Sequence, residues 1–305
     1  MQLAKSIAGI LAAADAGEPG IERLLLAARR GLKVPNLETL IAAGNLDQAM
    51  AAVAATKIPP ADLDAISDLI AAITLTVARP ESVALNVSFN EVNIRTIRWA
   101  KQNVARNIVG VTSANVTIIR DTIIQSLEAG VGPRVTAAHI QDLIGLTPGH
   151  EKAVNRLYFK SLEDGVSVTH ARRIAARKSK KLIRWRANMI ARSESITAAN
   201  MGQQLTWETA LDQGLLPQGT RKVWMATGDN RTCPICAVLD GTVSDDGTVG
   251  IEIGSSFVVN RQATKFVRSG SKFRVSASKP LKNASTVKTP KAHFMCRCAM
   301  RLERL

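Results

Sequence analysis

Only four cysteines occur in the 305 residues, and they fall in two close pairs, Cys233-Pro-Ile-Cys236 and Cys296-Arg-Cys298. His293 stands three residues before Cys296. A disulfide scaffold needs far more cysteine for its length, so this pairing constrains the fold in another way. A tight turn brings both thiolates of a C-x-x-C within reach of one ion. In a C-x-C on extended chain the two sulfurs project to the same side, because side chains alternate. Soft ligands arranged like this suit a closed tetrahedral Zn2+ site, which contributes on the order of 10 kcal/mol to folding. The expected ligands are Cys233, Cys236, Cys296 and Cys298, with His293 as an alternate ligand or a partner behind one. Four reduced buried thiols, or one or two disulfides, are the other readings of the same residues.

Cys-Pro-x-Cys also marks redox sites, where a following helix lowers the first thiol's pKa. Here Cys236 leads through Ala-Val-Leu into the turn signal Asp240-Gly241, which leaves little room for such a helix. The chain has no G-x-x-x-x-G-K-[ST], H-E-x-x-H, G-x-S-x-G or G-x-G-x-x-G. Its histidines are His139, His150, His170 and His293, so a second histidine near the cysteines is missing. These patterns give enzymatic chemistry no support.

Charge separates the two halves. Residues 1–150 carry thirteen Lys/Arg and thirteen Asp/Glu, so the whole net charge of +15 lies in residues 151–305. From Gly165 to Ser193 there are nine cations and no carboxylate, among them Arg172, Arg173, Arg177, Lys178, Lys180, Lys181, Arg184 and Arg186. A second basic stretch, Ser255 to Leu305, includes Lys272, Lys279, Lys282, Lys288 and Lys291. Two runs of one sign in one half point toward a polyanion such as a nucleic acid. A solvated, solubilising face is the plainer reading of each run alone.

The hydrophobic pattern gives a mainly α amino-terminal part followed by a small α+β carboxyl-terminal domain with a cysteine cluster. Met1 to Ala16 reads as an Ala-rich amphipathic helix rather than a secretory signal. Breaks are expected at Gly17–Gly20 and at Arg79-Pro80. Helices are expected over Ile118–Leu127, from Thr136 to Ile144 and over Glu151–Leu162. Thr169 is expected to cap a long helix reaching Leu211. On that helix Arg192 and Glu194 fall on or beside a broad apolar face, where a paired buried charge is the expectation. Arg221–Thr227 reads as a strand, with short strands at Ser256–Val259 and Lys272–Val275 and a mobile basic loop from Val275 to Ala292. No apolar run is long enough for a membrane span. The expected division is 1–84, helical; 85–216, helical and ending in the long basic helix; and 217–305, the small cysteine-bearing domain.

Three blocks in order carry a family resemblance. Ile190-Ala-Arg-Ser-Glu-Ser-Ile-Thr-Ala-Ala-Asn200 resembles an "IARTE…A…N" helix. Trp224, Ala226-Thr227, Asp229-Asn-Arg-Thr-Cys-Pro-Ile-Cys236 and Leu239-Asp-Gly241 resemble "W…AT.D.RTCPIC..LDG". Pro290-Lys-Ala-His-Phe-Met-Cys-Arg-Cys298 is similar to "PPLHPNCRC", with Phe294 in place of the proline and, in the first block, Ser193 in place of threonine. These are the blocks of the phage Mu F-like family of minor head (head morphogenesis) proteins, and the resemblance spans roughly residues 85 to 305. It implies a structural, non-enzymatic virion protein assembled in the host cytoplasm and located in the head at the portal vertex. The implied partners are the portal protein, packaged double-stranded DNA and the major capsid or scaffold protein. An enzyme or toxin-like effector using Arg192 and Glu194, and a zinc-stabilised nucleic-acid-binding protein, are the alternatives.

Overall fold

The computed structural model describes residues 2–56, 60–88, 92, 94–100, 102, 116–226, 232–241, 249–269, 272–290, 296 and 298–303. The described chain forms α1 (Gln2–Gly31), α2 (Val34–Ala42), α3 (Leu46–Ala54), α4 (Pro60–Leu85), α5 (Val116–Glu128), α6 (Pro133–Leu143), α7 (Pro148–Glu163) and α8 (Val168–Asp212). Then follow β1 (Arg221–Met225), α9 (Pro234–Leu239), β2 (Ile251–Glu252), β3 (Phe257–Ser269), β4 (Lys272–Val287) and β5 (Ala299–Glu303). A mostly helical part thus precedes a small domain with antiparallel sheets and the cysteines. No described helix is long and apolar enough to cross a membrane.

Packing divides the chain into two compact units, each assembled from separate stretches, a different partition from the three sequence segments. One comprises Met1–Asp15, Asp68–Ala100 and Arg192–Leu305; the other comprises Ala16–Ser67 and Lys101–Ala191. The chain passes between them within α1, α4 and α8.

In the helical unit α2 lies against α6 and α3 against α5. Leu25, Leu37, Ile123, Ile140, Leu143 and Ile183 are buried in it, and apolar burial of this kind drives the packing. Thr147 caps α7 by accepting a hydrogen bond from His150 N at 3.3 Å. Gly145, at φ 83°, lets α6 turn into α7 close to its neighbours: a Cβ there meets Ile183 Cδ1 at 3.1 Å and Leu25 O at 3.2 Å. Arg29 is the polar tie, donating to Ile144 O at 2.9 Å, Asp142 O at 2.6 Å and the Ser179 hydroxyl.

Two expected breaks are absent. α1 continues through Pro19 and α4 through Pro80. An interior proline removes one helical N–H and costs about 3 kcal/mol in isolation. The residues beyond each proline offset it: Ile21, Leu24 and Leu25 by apolar burial after Pro19, and after Pro80 Glu81, which accepts from Trp207 Nε1 at 2.8 Å, and Ser82, which donates to Ala78 O at 2.7 Å. α6 begins at Pro133 with Gly132 as its N-cap, so Thr136 lies inside the helix and not at its start. α8 begins at Val168, so Thr169 is its second residue rather than its cap.

In the sheet-bearing unit β1 is the central strand of an antiparallel sheet ordered β2-β1-β5. Its Lys222, Val223 and Trp224 are all buried, so both faces of the strand are covered. Gly250 sits at φ 83° before β2, where a Cβ meets Lys222 O at 2.6 Å, so only glycine lets β2 reach the edge of β1. β3 and β4 form a separate two-stranded ribbon with register shifts near Val259, Ala263 and Lys265. The basic loop expected over Val275–Ala292 is therefore strand as far as Val287. Its polar side chains hide the strand from a hydrophobic reading. Pairing with β3 supplies the backbone partners.

Candidate metal centre

The sheet explains why the cysteine pairs meet. β1 and β5 are antiparallel, with Met225 opposite Ala299 and Trp224 opposite Met300. The end of β1 therefore adjoins the start of β5. The first pair lies on the chain leaving β1, and the second ends immediately before β5, so both are delivered to the same end of the sheet.

The sulfurs of Cys236, Cys296 and Cys298 all lie within 4.8 Å of one another, and all three residues are buried. Cys236 Sγ is 3.6 Å from Cys296 Sγ. A tetrahedron of sulfurs around zinc, at about 2.3 Å each, has an edge of about 3.8 Å. The spacing and the donor chemistry fit such an ion. Cys233 is half-buried at the N-cap of α9, and its sulfur accepts the Cys236 N–H at 3.2 Å. All four cysteines are free of disulfides. His293 and Lys291 lie outside the described residues.

The helix α9 does follow Cys233, contrary to the expectation of little room. It spans only six residues, and Cys236 within it is a raised, not an acidic, thiol. The Cys236 thiol is pushed strongly upward by its hydrogen bonds to Cys233, Cys296 and Cys298 and by burial. For Cys298 the hydrogen bond with Cys236 pulls downward, but Cys296 and burial outweigh it and the thiol is raised. Crowded thiols of this kind ionise when a cation supplies the compensating charge, so metal uptake releases protons.

The surrounding shell is apolar and ordered. Trp207, Trp224, Leu239, Ile253, Phe257 and Met300 pack with the three buried cysteines in one core. Trp224 meets Phe257 edge-on at 5.2 Å. Among the described residues the fully buried Trp224 Nε1–H has no nitrogen or oxygen acceptor, and its hydrogen bond toward Cys298 favours the thiolate. Asn200 Nδ2 donates to Cys298 O at 2.9 Å and to Pro290 O at 3.4 Å. Asp240 Oδ1 accepts from Ala226 N at 2.8 Å, and Gly241 N donates to Trp224 O at 2.9 Å.

A second buried network was not foreseen from the sequence. Lys222 is fully buried in β1, and its Nζ donates to Gln204 Oε1 and to Lys288 O, both at 2.9 Å. Gln204 Nε2 donates to Ile253 O at 2.7 Å and Glu208 Oε1 at 2.8 Å. Burial pushes the Lys222 amine down to about 8, against the attraction of Glu208. The one sequence signal was the spacing of Asn200, Gln204 and Glu208, which places three polar groups on one helix face.

The family described as Phage Mu protein F like protein matches residues 117–301. The chain belongs to that family. The match begins later than the resemblance judged from about residue 85. Neither the curated proteins nor the solved structures compared with the chain returned a match. Membership makes this Mu F-like chain a member of a structural phage-head family.

The described signature residues of the Mu F-like chain have structural roles. Asn200 of the first block holds the Cys298 carbonyl, and Trp224 and Asp240 of the second brace the first cysteine pair. Glu194 is buried and engaged within the protein, whereas the half-buried Arg192 has a buried Nε with no hydrogen-bond partner among the described residues, so the expected partner for each charge is not seen for Arg192 Nε. Asn200→Ala should leave the Cys298 carbonyl without its donor at a cost of about 1–3 kcal/mol. Denaturant titration checks this; a variant as stable as the parent removes Asn200 from the account.

The basic candidates divide by environment. Arg172 is turned inward, donating to Asp142 Oδ2 at 3.2 Å, and Arg186 donates to Gly145 O at 2.7 Å. Lys288 pairs with Glu208 at 2.6 Å. Arg173, Arg177, Lys178, Lys180, Lys181 and Arg184 are exposed on α8, and Lys279 and Lys282 on β4. The backbone of Lys272 lies in β4, and its side chain is outside the described set.

Proposed function

We propose that this protein is a structural minor head protein of a tailed phage. In this reading it joins the portal at the head vertex and holds its carboxyl-terminal unit together with a structural zinc ion. Cys236, Cys296, Cys298 and Cys233 would hold the ion, which would supply a cross-link rather than a reactive centre. The observation that carries the reading is the convergence of the signature residues on the cysteine cluster. A shared device for rigidity suits a component held in a large assembly. The test is co-purification of the full chain with the portal ring during head assembly. A protein that never enters portal-containing particles, and is absent from the finished virion, overturns the reading. A scaffold or major capsid protein is the further expected neighbour.

Packaged duplex DNA is the proposed polyanion. The β3–β4 ribbon supports this, because it presents exposed Lys265 and Lys279 on paired backbone and exposed Lys282 at the register shift beside them. A major groove admits a two-stranded ribbon of this kind. Phosphate contact makes affinity fall with salt, by a slope of about 0.9 for each phosphate neutralised. Lys279→Glu with Lys282→Glu should weaken duplex binding and lower the slope by about two. Salt-independent affinity, or no binding at low salt, overturns duplex contact while leaving the head assignment to the portal experiment.

A further inference from the structure

On the helical unit, the exposed face of α8 carries a feature that phosphate contact with a duplex does not use. Trp185 is 52 % exposed, on a helix whose opposite face is buried through Ile183, Ala187 and Ile190. Its indole lines a cleft of about 610 Å³ together with Arg177, Lys180, Lys181 and Arg184. These positions recur three and four residues apart, so the helix itself sets the aromatic ring among the cations. Glu18, on the cleft wall, accepts a hydrogen bond from Asn188 Nδ2 at 2.6 Å, so its charge is partly engaged, and Glu22 stands 3.7 Å from Arg184 Nε in an ion pair that leaves the arginine exposed. His150 meets the indole edge-to-face at 5.2 Å and so restrains the plane of the ring.

An exposed tryptophan gains nothing from intact duplex, whose bases are already stacked on each other. Cations at helical spacing around an open indole match an unstacked base with its flanking phosphates. The cleft is of the size of small-molecule sites and accommodates a nucleotide. We propose that it binds single-stranded DNA, one base stacked on Trp185 and the adjacent phosphates held by Arg177, Lys180, Lys181 and Arg184. The inference rests on the nucleic-acid reading above and adds the strand form and the residue that selects it.

Fluorescence anisotropy with the full chain tests it, using labelled oligo(dT) and a duplex of equal length at several salt concentrations. Oligo(dT) should bind more tightly than duplex. Trp185→Ala should weaken oligo(dT) by roughly tenfold or more and leave duplex unchanged, with Trp185→Phe retaining most of the affinity. Lys181→Glu with Arg184→Glu should weaken oligo(dT) and flatten its salt dependence. Trp185 is exposed, so its replacement leaves the core intact, and circular dichroism of each variant checks this. Oligo(dT) binding unchanged in Trp185→Ala overturns the proposal. So does displacement of oligo(dT) by oligo-glutamate at equal efficiency, which assigns the cleft to an acidic peptide. Duplex binding sensitive to the ribbon substitutions, without oligo(dT) binding, overturns this inference and leaves the duplex reading standing.

Discussion

Serine in place of Cys296 is expected to abolish metal retention and unfold the sheet-bearing unit. Cys296 lies in the buried triad, with Cys236 Sγ at 3.6 Å, so its loss removes a central ligand and not one at the rim. Structural zinc contributes on the order of 10 kcal/mol, comparable with the whole stability of a domain. Cys233→Ser should be milder, because Cys233 is half-buried and outside the triad; weakened but measurable zinc retention is expected. The checks are elemental analysis of protein purified without chelator and thermal unfolding with and without chelator. Loading near one ion per chain, lost together with the folding transition, is the expected result. Full folding with no zinc and no response to chelator removes the metal and leaves a cluster of reduced thiols. Acidification should act in the same direction as chelation, because the raised thiols of Cys236 and Cys298 reclaim their protons when the ion leaves.

The second large effect belongs to the helical unit and to acid. His139 is fully buried, stacked on Tyr158 at 4.1 Å, with Nε2 facing Asn155 Oδ1 at 2.8 Å. Asn155 Nδ2 in turn donates to Thr122 Oγ1 at 2.5 Å. Burial lowers the imidazole pKa to about 4; Arg172 adds to this and the Asn155 hydrogen bond opposes it. The folded chain therefore resists a proton that the unfolded chain accepts near 6.5. Stability from this group is complete above that value and is lost as pH falls toward 4, by about 3 kcal/mol in all. His139→Gln keeps a donor for Asn155 and cannot titrate. Urea titrations of parent and variant between pH 7 and pH 4 should therefore converge as pH falls if the parent is the more stable at pH 7. Asp142, raised chiefly by burial, contributes with the opposite sign in both proteins and cancels in the comparison. Equal pH slopes for parent and variant remove His139 as the source of acid sensitivity.

Parts of this architecture were legible from local pattern alone. The long basic helix was expected from Thr169 to Leu211 and runs from Val168 to Asp212, because its apolar residues recur at spacings of three and four. The strand expected at Arg221 begins there and ends at Met225. Prolines misled where tertiary contacts outweigh propensity: apolar burial beyond Pro19, hydrogen bonds of Glu81 and Ser82 beyond Pro80. The second ribbon strand was read as loop because Ser, Lys and Thr give no alternating apolar face, and its partner is the deciding factor.

From the chain of residues alone came the helical amino-terminal part, the soft-ligand chemistry of four cysteines and the basic second half, since composition and spacing are local properties. Only the folded chain decided that antiparallel pairing of β1 with β5 gathers those cysteines. It also decided that Arg172 and Arg186 are turned into the protein, that the exposed Arg184 and Lys288 pair with Glu22 and Glu208, and that Arg177 and Lys181 face solvent. Such outcomes depend on groups far apart along the backbone, and burial and pairing between distant segments carry no signature at either segment by itself.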